Sequence, residues 1–186
     1  MRRLDPAGRP LARAAGVFMG ASMAMALVAM PTVSSEPASA AASAAISAGR
    51  LPDGYRDWRL VSVAREEGDL DDIRAVLGND VAIEAYRGGR TSFPDGTVIA
   101  RLAWSYESSE ENDRSFGRKQ SFVAGHPKNG VQFMVKDASK YAETGGWLYA
   151  HFEDGQASRD AAQLNACFQC HKAVSGRDYV FTRYAR

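Results

Sequence analysis

After residue 50 the chain runs in short stretches of alternating apolar and polar positions, cut by glycine and proline. Residues 55–63 (YRDWRLVSV) close on such an alternation and read as an opening strand. Residues 73–77 form a second candidate strand. Asn79 or Asp80 then caps a short helix running to Tyr86, stopped by Gly88-Gly89. Pro94-Asp95-Gly96 is a turn signal ahead of a long strand over residues 97–106. Residues 107–128 are polar and read as a long loop. A strand over 131–136, one or two helical turns over 138–143 closed by Gly145-Gly146, and a strand over 147–152 follow. Residues 161–174 read as helix and 179–184 as a last extended segment. Strands with short helices between them predict an α+β domain built on an antiparallel sheet.

Composition adds a compartment. The whole chain is 45% hydrophobic and 24% charged with a net charge of +1, which suits one globular domain and argues against nucleic acid as a partner. The first forty residues differ from the rest: Arg2, Arg3, Arg9 and Arg13 precede an apolar run over residues 14–30, then Pro31 and small residues with an A-x-A match at Ala38-Ser39-Ala40. That order describes a secretory signal. An uncleaved membrane anchor is the alternative, although the run is short and rich in small residues for a span. Arg2-Arg3 is a weak twin-arginine candidate, since Leu4-Asp5-Pro6 lacks the apolar continuation. The predicted organisation is a signal peptide over 1–40, a flexible linker over 41–50 and a folded domain over 51–186, periplasmic or otherwise exported.

The chemistry sits near the C-terminus. The chain has two cysteines, in Cys167-Phe168-Gln169-Cys170, and His171 follows at once. C-x-x-C-H is the attachment signature of c-type haem. Two thiols on one helical turn add to the two vinyl groups of one porphyrin, and the adjoining imidazole becomes the proximal iron ligand. The motif therefore predicts one haem c, covalent through Cys167 and Cys170, with His171 as the metal ligand. The alternatives are an exported disulfide or a thioredoxin-like redox pair, which belongs at a helix start beside a βαβ unit. A zinc site would need two further ligands at suitable spacing.

The other side of the iron is less specified. No methionine follows His171, which leaves Met134, His126 and His151 upstream. His126 in Gly125-His126-Pro127 reads as a solvated loop residue, His151 as a half-exposed strand residue and Met134 as packing. A five-coordinate iron with an open distal side follows, suited to small-ligand binding or catalysis. The alternative is a six-coordinate electron carrier using Met134 or a histidine.

Several segments occur together in order: Tyr55-Arg56-Asp57-Trp58, Phe93-Pro94-Asp95-Gly96-Thr97-Val98, Phe133-Met134-Val135-Lys136-Asp137, Gly145-Gly146-Trp147, the haem motif with Lys172, and Val180-Phe181-Thr182-Arg183-Tyr184. This set resembles the cytochrome P-460 family over nearly all of residues 51–186. The resemblance implies a mostly antiparallel β domain with one c-type haem, related to cytochrome c′-beta. It also implies a homodimer, a periplasmic redox partner, and either hydroxylamine oxidation or binding of nitric oxide and similar small nitrogen ligands. Hydroxylamine-oxidising members carry a lysine on the strand after D-G-T-V, joined to the haem edge. Here that position is Arg101, whose guanidinium stays protonated and is no nucleophile. The cross-link is expected to be absent, and whether the protein is an enzyme stays open. Arg101 shares a strand face with Thr97, Ile99 and Ala103, opposite Val98, Ala100, Leu102 and Trp104. It is the candidate catalytic residue of the distal or haem-edge pocket, seeking a haem propionate or a bound anion. The alternative takes it past the sheet edge into solvent. Trp58, Trp104, Trp147, Tyr179, Phe181 and Tyr184 read as core and pocket walls. Arg183 either meets a propionate or faces solvent, Lys172 reads as a solvated helix residue, and Glu107, Glu110, Glu111 and Asp113 form a solvated acidic loop.

Overall fold

The structure, a computed structural model, describes residues 35–185, so most of the expected export signal lies outside the described residues. Six antiparallel strands follow one another across a single sheet in chain order: β1 (Arg59–Glu66), β2 (Asp72–Gly78), β3 (Val98–Ser108), β4 (Phe122–Lys136), β5 (Trp147–Glu153) and the short β6 (Gln156–Ala157). Four helices accompany it: α1 (Ser35–Ser47), α2 (Asp80–Arg87), α3 (Glu110–Phe116) and α4 (Ala161–His171). The expected α+β class holds. Among the described residues no helix is long and apolar enough to cross a membrane.

The period-two alternation sorts side chains to two separate cores, one on each face of the sheet. Val98, Ala100, Leu102, Phe133, Val135 and Phe152 point to one face, joined by Ala42 and Ile46 of α1. Val76, Ile99, Met134, Trp147 and Tyr149 point to the other, joined by Ala82, Ile83 and Ala85 of α2 and by Val180. The register places Ile99 beside Met134 and Met134 beside Tyr149, and one step along it places Arg101 between Val76 and Gln132. That second face carries the site.

Asn79 ties the two layers together. Its side-chain carbonyl accepts from the amides of Ala82 and Val98 at 3.0 and 3.1 Å, which caps α2 as its position in the sequence predicts. Its amide donates to Gly96 O at 2.8 Å and to Ser39 Oγ of α1 at 3.0 Å.

Three sequence expectations need correction. The flexible linker over 41–50 is mostly the second half of α1, with Ser39, Ala42 and Ile46 buried against the sheet. An alanine-rich stretch has high helix propensity, and its small side chains allow close approach to the strands. A cut after Ala40 would divide this helix. The loop over 107–128 is instead an ordered arm, in which β3 and β4 run on past the sheet with α3 across their end. The last segment, 179–184, has no strand pairing; it crosses the sheet face as irregular chain and is tied down where the Ala185 amide donates to Val61 O at 2.9 Å.

Asp113 closes the end of the arm. One carboxylate oxygen accepts from the amides of Gln120 and Ser121 at 2.8 and 2.9 Å, and the other from the Ser108 hydroxyl. The Ser108 hydroxyl, then the two amides, lower its pKa below the ordinary 3.8. A carboxylate whose folded pKa is depressed contributes above its unfolded pKa and ceases to as pH falls through the folded value. The protection of the Gln120 and Ser121 amides, measured against their intrinsic exchange rates, should therefore fall on acidification below about pH 3.8. Asp113→Ala should lack that protection at every pH, which exchange monitored by NMR would check.

Candidate functional site

Helix α4 starts on Asp160, whose carboxylate accepts from the amides of Ala162 and Gln163 at 2.9 and 3.3 Å. None of its residues is buried; it leans on the sheet through Cys167 and Phe168. Cys167 and Cys170 lie three residues apart, on neighbouring positions of one helix face. Their thiols are free, Cys167 half-buried and Cys170 exposed, and burial pushes the Cys167 thiol pKa up.

Between α4 and the sheet lies a cavity of about 500 Å3 whose wall includes Cys167, Cys170 and His171. That volume is in the range of cofactor and small-molecule sites. The sheet supplies Val76, Ile99, Arg101, Gln132, Met134 and Tyr149, and the last segment supplies Val180, Phe181 and Thr182. The motif that the sequence singled out and Arg101 thus meet in one cavity.

His171 has a defined tautomer. Its Nδ1 lies 2.6 Å from the carbonyl of Tyr179, which can only accept, so Nδ1 carries the proton and Nε2 keeps its lone pair. Burial lowers its pKa, which keeps the ring neutral and able to bind a metal. Phe181 sets its edge against the imidazole at 5.0 Å between ring centres, and Tyr149 lies at 5.1 Å on a tilt.

Arg101 finds its first partner in the protein and does not reach past the sheet edge into solvent. Asp72 is fully buried and accepts from Arg101 Nη2 with one oxygen and from Arg74 Nε, at 3.0 Å, with the other. Arg74 also pairs with Glu66. Burial, then the neighbouring Arg74 charge, lower the Arg101 pKa from its ordinary value, and the guanidinium still stays charged. Its other terminal nitrogen, Nη1, is buried with no hydrogen-bond partner among the described residues, and so is the Tyr149 hydroxyl. Burial drives the Tyr149 pKa upward, so that hydroxyl remains a donor.

The alternative axial ligands separate. Met134 is on the sheet wall of the cavity, whereas His126 and His151 are not among its lining residues. His126 is exposed as expected, but on strand β4 and not in a loop, 3.9 Å from Glu107. His151 is buried, against the expectation of half exposure, because it packs on the covered sheet face; its Nε2 is 3.1 Å from Glu153. Trp147 is fully buried core, as expected, and Phe181 is cavity wall. Arg183 and Lys172 are exposed, Lys172 lying 5.5 Å over the Phe168 ring.

Sequence reasoning missed Asp72, Tyr149 and the Tyr179 carbonyl. A signal existed for the first: Asp72, Arg74 and Val76 alternate along β2 on the face that Arg101 shares.

No curated protein matches the chain. Residues 52–182 match the family model for cytochrome P460, well over half of the chain, and with the haem motif in place on that cavity the chain belongs to the cytochrome P460 family of haem cytochromes.

Proposed function

We propose that this is an exported mono-haem c-type cytochrome whose iron keeps one exchangeable position for small nitrogen ligands such as nitric oxide. The residues fit such a group. Two free thiols and an imidazole with an available Nε2 line one cavity with apolar Val76, Ile99, Met134 and Phe181. Two orphaned buried donors, Arg101 Nη1 and the Tyr149 hydroxyl, suit the carboxylate groups that a haem carries or a polar bound ligand. Cys167 and Cys170 would hold the haem by thioether bonds and His171 would supply the proximal nitrogen. When bound, the haem supplies a redox-active iron that takes a diatomic ligand.

The protein's own residues do the rest. The Tyr179 carbonyl orients His171 and raises its basicity. Val76, Ile99 and Met134 keep water from the sheet side. Asp72 holds Arg101 in a fixed pose with a charged donor left over, ready for a ligand oxygen. A permanently protonated guanidinium offers no amine to join a porphyrin edge, which favours ligand binding over hydroxylamine oxidation. The single observation that carries the reading is His171 Nδ1 on the Tyr179 carbonyl, beside both thiols. Export, an exported redox partner and a homodimer complete it, the first from the N-terminal composition and the others from the family.

Met134 on the cavity wall favours one second reading, a six-coordinate electron carrier. Near-infrared and resonance Raman spectra of the haem-loaded protein decide between them. High-spin five-coordinate ferrous iron that takes up nitric oxide is expected. A low-spin spectrum with the ferric His–Met band would overturn the first reading, and loss of that band in Met134→Leu would establish the second.

A further inference from the structure

Two consecutive residues after the last helical turn, Asp178 and Tyr179, have φ of 52° and 63°. Left-handed backbone is costly for side chains with a Cβ, and two in succession persist only where the surroundings over-determine them. Asp178 is held from four directions. Its Oδ1 accepts from Lys136 Nζ at 2.6 Å and its Oδ2 from the Phe93 amide at 2.8 Å. The Trp147 indole donates to its backbone carbonyl at 2.9 Å, and its own amide donates to Ser175 O at 3.0 Å. The Lys136 side chain is buried and that of Asp178 is 10% exposed, and Lys136 also donates to Gly145 O at 3.1 Å. The Tyr179 ring then lies where a side chain at Gly145 would be, since an added Cβ there would meet it at 2.1 Å. The cluster meets the motif helix through the Tyr179 carbonyl, 2.6 Å from His171 Nδ1, and through the Tyr179 ring, 5.9 Å from that of Phe168.

We infer that Asp178 is a positioning residue for the proximal imidazole. Locked by Lys136, Trp147 and the Phe93 amide, it holds the next carbonyl in the chain on His171 Nδ1 and thereby sets how strongly Nε2 donates. The inference rests on the proposed role of His171 as haem ligand. A carbonyl on the far nitrogen orients a metal-bound histidine and raises its basicity. A stronger donor favours ferric over ferrous iron, so releasing the carbonyl shifts the reduction potential upward and the ferrous iron–imidazole stretch downward.

The test uses the haem-loaded protein and the variants Asp178→Asn and Trp147→Phe. Trp147→Phe removes the indole N–H and keeps a smaller aromatic ring in the core, so it carries the test if Asp178→Asn does not mature. Both variants should lower the stretching frequency and raise the potential, Asp178→Asn by more. A merely structural clamp would lower the denaturant midpoint and leave both readouts at wild-type values, and that result overturns the inference alone. A wild-type ferrous spectrum that is five-coordinate and high-spin yet has no iron–imidazole stretch would strike the role of His171 itself and take the inference with it.

Discussion

Alanine at both Cys167 and Cys170 is expected to abolish covalent haem, and alanine at either one to leave attachment weak and incomplete. Each thiol supplies one thioether, and both stand on one face of α4 along the same cavity, so neither has a substitute. The two are not equivalent. Burial raises the pKa of Cys167 and makes it the poorer thiolate, whereas Cys170 is exposed. Acid-acetone extraction after maturation in a host with haem-attachment machinery measures this. Wild type should keep all its haem on the chain, the double variant should release all of it, and the single variants should fall between. His171→Gly should retain covalent haem while losing the proximal nitrogen, and added imidazole should restore the wild-type spectrum. The cysteines and the histidine thus fail in different ways.

The second large effect concerns stability. Asp72→Ala should cost about 3–5 kcal/mol of unfolding free energy, the range for breaking a buried ion pair by removing one partner. Asp72 is fully buried between Arg74 and Arg101, whose side chains are each only 15% exposed, so its loss leaves Arg101 without its ion-pair partner beside Arg74, which keeps only Glu66. The surface pair Arg59–Asp80, at 45% and 54% exposed, is the internal comparison: Asp80→Ala should cost no more than about 1 kcal/mol. Urea unfolding of the three proteins checks both values. Equal midpoints for Asp72→Ala and Asp80→Ala would show that the buried cluster does not hold β2 and β3 together beside the cavity.

How far the sequence carried depended on the range of the interaction. Alternation placed Ile99 and Arg101 opposite Ala100 and Leu102 correctly, because period two is a local property of any half-buried strand. The Asn79 cap and the C-x-x-C-H helix were equally local. The arm built by β3, α3 and β4 reads as loop in the sequence because water reaches much of its surface, which removes the apolar signal while leaving the ladder hydrogen bonds intact. Helix α1 reads as linker because its small residues carry little hydrophobic contrast; only the sheet beneath makes Ala42 and Ile46 a buried stripe. At the site, the partners that decide the chemistry are long-range. Asp72 meets Arg101 across 29 positions and Asp178 meets Lys136 across 42; the alternation along β2 puts Asp72 on the face of Arg101 without pairing the two, and Asp178 lies outside any strand.

The central claim is that one haem is covalently held at Cys167 and Cys170 beside His171. The most direct measurement is mass spectrometry of protein matured with haem-attachment machinery, intact and after tryptic digestion. The chain should be heavier by one haem, carried on the peptide containing Cys167 and Cys170, with the peptides on either side of Arg101 free of haem. A chain of unmodified mass, or haem on the β3 strand or on Lys119, Lys128, Lys136 or Lys140, would contradict it.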